Sequence, residues 1–450
     1  MLTGIKLRAH PTSHQKLILS QWMGCARSIW NAKVEEERYY RTYARKYCTI
    51  GTYAPIDQTT SQFKSKELSP WLSECPSQIL RNSAVNWYQT YQKFMSGKCG
   101  RPKRKPKTDK GSIYLTREVF RFDHCDDGNV RLFIGTKTNN IGYLSFKAHG
   151  KFEIPNSLYV RKERGHYYVS FCYEQGQPDR KLSTNEEHLA FLQGATREDL
   201  EEPTMGVDRG VAIPVCAGEQ TYDFTHSQKK NMSKADRYIK RLQRKLARQQ
   251  KGSNRRAKTK HRIAVHHAKK ANIRNDFAHK TSRLLVDSSA KIIVFEALRT
   301  ARMTRRPKAK QDEQGRFISN KAKQKAGLNK SILNVGWHVI ETYTYYKAYS
   351  SSKAVFKIPA PTTSQECAKC GHTHPDNRKT QALFVCGNCG NTDNADHNAS
   401  LVIKKRAINL ILDTGTVLSG DGVLRTQSDS GRGGNRKTGR AKSSTSSAQR

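Results

Sequence analysis

Two short cysteine motifs constrain this chain more tightly than anything else in it. Cys367-Ala368-Lys369-Cys370-Gly371 and Cys386-Gly387-Asn388-Cys389-Gly390 form two C-x2-C pairs with fifteen residues between them. Thiolates spaced this way converge on one tetrahedral Zn²⁺, and the glycines permit the tight turn that each pair needs. Four thiolates leave no open coordination position, so the expected ion is structural. A zinc ribbon is therefore expected over 362–390. The other seven cysteines (Cys25, Cys48, Cys75, Cys99, Cys125, Cys172 and Cys216) lack pairing spacing. They read as small, partly buried hydrophobes and not as a disulfide framework.

Seven residues beyond the last of these cysteines stands Asp396, at the start of a helix expected over 396–412. Two more acids occupy strand positions far upstream: Asp208 in Gly206-Val207-Asp208-Arg209-Gly210, and Glu296 closing the apolar run Ile292-Ile293-Val294-Phe295. Singly they have ordinary explanations, since Asp396 can cap its helix and a lone strand aspartate says little. A carboxylate ending a buried strand, however, is costly without a cation or metal beside it. In chain order, a first-strand Asp, a later buried-strand Glu and a helix-start Asp are what an RNase-H-like sheet uses to hold two Mg²⁺ ions. Mg²⁺ takes carboxylate oxygens, waters and substrate phosphate, and two such ions support phosphodiester hydrolysis.

Charge points to the same partner class. The 450 residues carry 81 Lys+Arg against 38 Asp+Glu, a formal net charge of +43. That surplus favours a polyanion, whose phosphates release counterions on contact. No apolar run is long enough to span a bilayer, and residues 1–8 have no signal-peptide core. A cytoplasmic, nucleoid-associated prokaryotic protein is expected, with no membrane and no small-molecule substrate.

Along the chain, Ile5, Leu7 and Ala9 alternate as a strand. Thr12 and Gln15 make a capping box for a helix carrying Ile18, Trp22, Cys25 and Ile29. Leu80, Ala84, Trp87, Tyr91 and Phe94 form the apolar stripe of a second helix after Pro76. Its opening polar residues, Ser77, Gln78 and Arg81, are candidates for nucleic-acid contact. The basic loop 98–107 is expected to touch phosphates. Residues 113–173 read as an antiparallel sheet or small barrel, and 175–202 as a polar linker. From Met205 the pattern is α/β, with an apolar strand from Val207 to Val215. Residues 228–283 hold twenty Lys/Arg against Asp236 and Asp276 alone. A basic helical hairpin over 233–288 turning near 251–254 is expected, as a nucleic-acid surface. Residues 300–327 read as basic, polar and mobile, 328–348 as one helix, and the Ser/Gly/Arg/Lys-rich tail as disordered.

The same residues carry a family resemblance. Gly206-Val207-Asp208-Arg209-Gly210, Phe295-Glu296-Ala297-Leu298, Tyr346-Lys347-Ala348, Thr363-Ser364-Gln365-Glu366-Cys367 with its partner cysteines, and Ala395-Asp396-His397-Asn398-Ala399 resemble the TnpB family in order and spacing over about 205–407. These are insertion-sequence proteins related to type V CRISPR effectors. Weaker agreement covers Ala26-Arg27-Ser28-Ile29-Trp30-Asn31 and the Trp87 helix. Two positions depart from the commoner pattern: Asn394 replaces an acid, and Ser400 replaces Ala.

The resemblance implies a multidomain α/β plus α+β protein. Its parts would be an RNase-H-like RuvC nuclease domain (204–361 and 391–412) with an inserted zinc ribbon (362–390), and an N-terminal wedge-like β-barrel (1–10 and 112–178) with an inserted helical recognition domain (11–111). A linker (179–203) and a basic tail (413–450) complete the chain. It implies Asp208, Glu296 and Asp396 as the catalytic Mg²⁺ ligands, and an endonuclease that binds a guide RNA made from the transposon end. Such an enzyme would cut double-stranded target DNA beside a short motif. Three alternatives remain at this point: a compact type V CRISPR effector, a nuclease-inactive RNA-guided repressor, and a transposase acting without RNA.

Overall fold

The structure is a computed structural model. It describes residues 2–47, 58–65, 67–108, 110–124, 130–148, 152–174 and 182–426. Of the tail expected as disordered, residues 427–450 lie outside the described residues, as do parts of the expected linker, whereas 413–426 contains a pair of strands with Leu424 buried. The chain divides into two compact units, Met1–Asp179 and Arg180–Arg450.

In the first unit, β1 (Leu2–Ala9) buries Leu7 and Ala9 and turns Lys6 and Arg8 outward, as its alternation requires. Thr12 and Gln15 close the expected capping box of α1 (Ser13–Tyr39), which runs through a π-turn at Tyr40–Ala44 into α2 (Arg45–Tyr47). Helix α3 (Ser77–Met95) buries Leu80, Ala84 and Trp87 against α1. Seven strands follow: β2 (Gly111–Thr116), β3 (Phe120–His124), β4 (Val130–Gly135), β5 (Asn140–Leu144), β6 (Phe146–Lys147), β7 (Ser157–Glu163) and β8 (His166–Glu174). They form two antiparallel sheets, ordered β2-β7-β8-β1-β6 and β3-β4-β5, around one core with the helices. Among the described residues these sheets are not joined into a single hydrogen-bonded ring.

The basic loop 98–107, expected to touch phosphates, uses part of its charge inside the fold. Trp30 and Asn31 of α1 donate to the carbonyls of Lys103 and Lys105 at 2.9 and 3.1 Å. Arg101 pairs with Glu37, Arg104 with Glu35, and Lys105 lies 3.4 Å over the Trp30 ring. Several of its cations are therefore engaged in holding the loop along α1.

The second unit begins with helices where the sequence predicts a linker. The stretch expected as a linker contains two helices, α4 (Asn185–Leu192) and α5 (Arg197–Glu201), each started by a capping box at Thr184/Glu187 and Thr196/Asp199. Leu189 and Leu200 bury themselves in the core, and the amide of Asn185 pairs with the backbone of Val355, donating at 2.6 Å and accepting at 3.2 Å. Asn185 thus covers a sheet edge that would otherwise expose unpaired backbone groups.

The sheet is built from β9 (Thr204–Asp208), β10 (Val215–Ala217), β11 (Gln220–Tyr222), β12 (Ile292–Glu296) and β15 (Ala354–Ile358), in the order β11-β10-β9-β12-β15. β9, β12 and β15 are parallel, and the other two pair antiparallel. The single strand expected from Val207 to Val215 is broken by a turn after Asp208. Between β11 and β12 run α6 (His226–Ala247) and α7 (Asn254–Asp287), the expected basic hairpin. After β12 come α8 (Thr300–Met303) and the two-stranded ribbon β13 (Lys310–Gln311)/β14 (Phe317–Ile318), then α9 (Ala322–Val335) and α10 (Trp337–Ser350). The single helix expected over 328–348 is divided at Gly336, whose φ of 80° ends α9 in a left-handed cap.

Beyond β15, β16 (Leu383–Val385) pairs with β17 (Thr392–Asn394). Helix α11 (Ala395–Leu412) then packs on β9, and β18 (Thr416–Leu418) and β19 (Leu424–Thr426) close the unit. Gly206 makes the α11 contact possible: a Cβ there would lie 2.1 Å from the Ser400 carbonyl oxygen and 2.7 Å from the Lys404 nitrogen. Gly206→Ala is expected to destabilise the protein by about 3 kcal/mol through overpacking, measured by denaturant unfolding. An unchanged midpoint would contradict this close approach.

Candidate metal and nuclease site

The parallel register sets two of the predicted acids side by side. Phe295 pairs with Val207, so Asp208 and Glu296, one residue further on each, leave adjacent strands at their C-terminal ends. Open α/β sheets place their ligand crevices at such ends. The third acid comes from α11. Asn394 caps this helix, accepting from the backbone N–H groups of Asp396 and His397 at 2.9 and 3.2 Å. The departure noted at Asn394 therefore relieves Asp396 of the capping role. A Cβ on Gly210 would lie 3.9 Å from Asp396 Oδ2, which puts Asp396 beside the turn that follows Asp208.

Asp208, Glu296 and Asp396 are all buried. Burial, then the charges of Glu296 and Asp396, push the Asp208 carboxyl up to about 7. Burial also raises Glu296, although its Oε1 accepts the Thr363 hydroxyl and arginines lie nearby. Two buried acids held above their ordinary range, with Asp396 close enough to raise Asp208 further, are a donor set suited to a cation.

Three neighbours of these acids were not singled out by sequence pattern. Arg378, from the segment between the cysteine pairs, donates to Asp396 Oδ1 at 3.0 Å. Arg209 is buried; it donates to the Glu296 carbonyl and, at 2.6 Å, to Glu341 of α10, which Lys357 approaches at 3.1 Å. Burial raises the Glu341 carboxyl, but these two cations hold it below its ordinary value. Thr363 lies just ahead of the ribbon. Trp337 Nε1 donates to the Gly210 carbonyl at 3.0 Å and fixes the turn between Asp208 and α10.

The four predicted zinc ligands do converge. Cys367, Cys370, Cys386 and Cys389 offer sulfurs all within 4.8 Å, the one such cluster among the described residues. Gly371 and Gly390, at φ 78° and 71°, take the left-handed turn of each knuckle. The His372 backbone N–H draws the Cys370 thiol down to about 6, whereas Cys389, despite the Asn391 N–H, is pushed up to about 11 by sharing a proton with Cys370. Four sulfurs gathered this closely suit tetrahedral coordination of one Zn²⁺. Asn398 of α11 ties the ribbon to the sheet, donating to the Glu366 carbonyl at 2.7 Å and accepting from Ala368 at 3.0 Å.

The candidates in the first unit fare differently. Ser77 and Arg81 are exposed and Gln78 half-buried at the start of α3. None of them lines the cleft of about 670 Å³ beside this helix, whose walls carry Asn86, Gln89 and Lys93 from later turns of α3, with Arg27, Lys110 and Arg161. A helical residue three turns into an amphipathic pattern looks like a flank of the core stripe, so the pattern gave no signal for Asn86 or Gln89.

Known proteins resemble most of this chain. Family models match at residues 1–43 (a helix-turn-helix domain), 170–306 (described as "Probable transposase") and 337–403 (the Cas12f1-like TNB domain). The chain is 27% identical over 401 residues to an Escherichia coli K12 protein named "Putative RNA-guided DNA endonuclease InsQ", covering 89% of this chain and 90% of that one. A Streptomyces pristinaespiralis protein of the same description, without the InsQ name, is 24% identical, with 95% and 93% covered. The fold resembles that of a Cas12f1 chain solved with sgRNA and target DNA, with a TM-score of 0.52, 12% identity, and 90% and 98% of the two chains covered.

Two outcomes test the site. Cys386→Ser should abolish the stoichiometric zinc measured by elemental analysis and lower the thermal midpoint; retained zinc and an unchanged midpoint would contradict the cluster. Asp208 has a folded pKa raised above its unfolded value, so its contribution to stability is present below about pH 4 and lost as pH rises through about 7. In Mg²⁺-free buffer, Asp208→Asn should therefore stabilise the protein at pH 8 and have little effect at pH 4. Destabilisation at pH 8 would contradict the crowding of these acids.

Proposed function

We propose that this chain, which belongs to the TnpB family of insertion-sequence proteins, is an RNA-guided endonuclease that cuts double-stranded DNA beside a short motif. The observation carrying this reading is the meeting of Asp208, Glu296 and Asp396 at one end of the sheet, each buried. In this reading 204–361 and 391–412 form a RuvC nuclease domain, and α4 and α5 join it in place of the linker. The ribbon 362–390 holds one structural Zn²⁺ on its four cysteines. Residues 1–10 and 112–178 form the wedge-like part, and 11–111 supply the recognition helices.

Asp208, Glu296 and Asp396 would hold two Mg²⁺ ions. When bound, Mg²⁺ supplies water activation and stabilisation of the leaving oxygen. The chain's own residues prepare the site. Thr363 orients the Glu296 carboxylate, the Asn394 cap aims Asp396 away from its own helix terminus, and Arg209 braces the backbone between the two strand ends. Arg378 neutralises Asp396, and would be free to meet a substrate phosphate were a cation to hold that acid instead.

In the first unit, Asn86 and Gln89 have the donor–acceptor amides that read base edges, with Arg27, Lys93 and Arg161 nearby for phosphates. They are the better candidates for reading the motif than Ser77, Gln78 and Arg81. A compact CRISPR effector would use the same site; a repeat array beside the gene would mark that context. The nuclease-inactive alternative finds no support, because none of the three acids is missing.

The decisive experiment purifies the protein with its RNA and sequences that RNA. The complex is then offered a plasmid target with randomised flanks and Mg²⁺. Cleavage that follows the guide and selects one flank is expected. Asp208→Ala should reduce cutting to background while RNA and DNA binding persist. RNA-independent cutting, or full activity in Asp208→Ala, would contradict the proposal.

A further inference from the structure

The basic hairpin carries more charge than its fold uses. Its acids are already engaged: Asp236 with Lys270 and Lys330, Asp276 with Lys280, and Asp287 with Arg283. Near the turn, Arg241, Arg244, Lys245, Arg248 and Arg262 surround a cavity of about 740 Å³ with no acid among its lining residues. Arg244 and Lys245 complement the C-terminal dipole of α6, which accounts for two of the five. The turn itself is fastened by another residue, Arg256, which donates to the carbonyls of Leu246 and, at 2.8 Å, Gln249.

The same cavity contains a flat ring pair. Tyr238 of α6 stacks on His266 of α7, with centroids 5.1 Å apart and planes 3° from parallel. Tyr238 remains 43% exposed. A stacked platform edged by uncompensated guanidinium groups matches the chemistry of an unpaired nucleotide, whose base stacks and whose flanking phosphates pair with the cations. Duplex DNA keeps its bases stacked internally and has no such face to offer. The volume lies within the range of a small-ligand pocket and suits one nucleotide with its neighbouring phosphates.

Position separates this cavity from the nuclease site. Arg262 lies fifteen residues before Phe277, where α7 enters the core, which is about 22 Å along the helix. The acids lie beyond that, at the opposite ends of the strands from the one that α7 leads into. A strand being cut is not what this cavity would hold.

We propose that the Tyr238–His266 platform with Arg241, Arg244 and Arg262 is a docking site for an unpaired nucleotide of the guide RNA. This rests on the functional reading above. The test uses the full-length protein, the RNA that co-purifies with it, and a single-stranded DNA of the same sequence. Tyr238→Ala should weaken RNA binding about ten-fold, and Tyr238→Phe should restore it. The triple variant Arg241→Ala/Arg244→Ala/Arg262→Ala should flatten the salt dependence of RNA affinity by about two in log–log slope. Ultraviolet cross-linking should join one RNA position to the Tyr238 peptide, with melting curves unchanged in every variant. Wild-type RNA affinity in all variants overturns the site, as does an effect confined to the DNA strand. A wild-type protein that binds no RNA contradicts the functional reading instead, so the two failures are distinguishable.

Discussion

The interaction on which the second unit depends is the repulsion among three carboxylates gathered at one edge of a parallel sheet. Burying one carboxylate is costly, and burying three together is costlier still unless a cation joins them. The surrounding structure withstands that repulsion through several particular devices. Gly206 lets α11 lie against β9 with backbone almost touching backbone. Asn394 caps α11 so that Asp396 projects elsewhere. Arg378 neutralises one acid, while Arg209, itself held by Glu341, braces the two strand ends. The ribbon and the acids are therefore coupled: closing the ribbon fixes Arg378 and, through Asn398, the start of α11.

The remaining charge of the chain is organised by the same need for anions. In the first unit the basic loop uses Glu35 and Glu37 to lie along α1. In the second, the hairpin uses its few acids along the helix pair and leaves a cationic cluster near its turn. A net charge of +43 is in this sense two populations, one paired within the fold and one placed for polyanions.

Much of this was legible in the sequence. The cysteine spacing, the acid closing Ile292–Phe295, the capping box at Thr12 and the hairpin all follow from local chemistry, and each has its expected local form. What failed had longer-range causes. The helix over 328–348 breaks because Gly336 adopts a left-handed conformation that apolar periodicity does not register. The region expected as a linker folds because Leu189 and Leu200 reach a core made by distant strands; the two capping boxes at Thr184 and Thr196 were the available signal. Arg378 stood in a polar stretch between the cysteines, and only the closing of the ribbon brings it to Asp396.

In the reading proposed above, Asp208, Glu296 and Asp396 form one divalent-cation site. The most direct measurement is anomalous scattering from crystals of the protein soaked in Mn²⁺, a spectroscopically visible substitute for Mg²⁺. Two Mn²⁺ peaks bridged by these three carboxylates, with Arg378 released from Asp396, are predicted. Mn²⁺ absent from these acids, or bound with the Arg378–Asp396 pair intact, would contradict it.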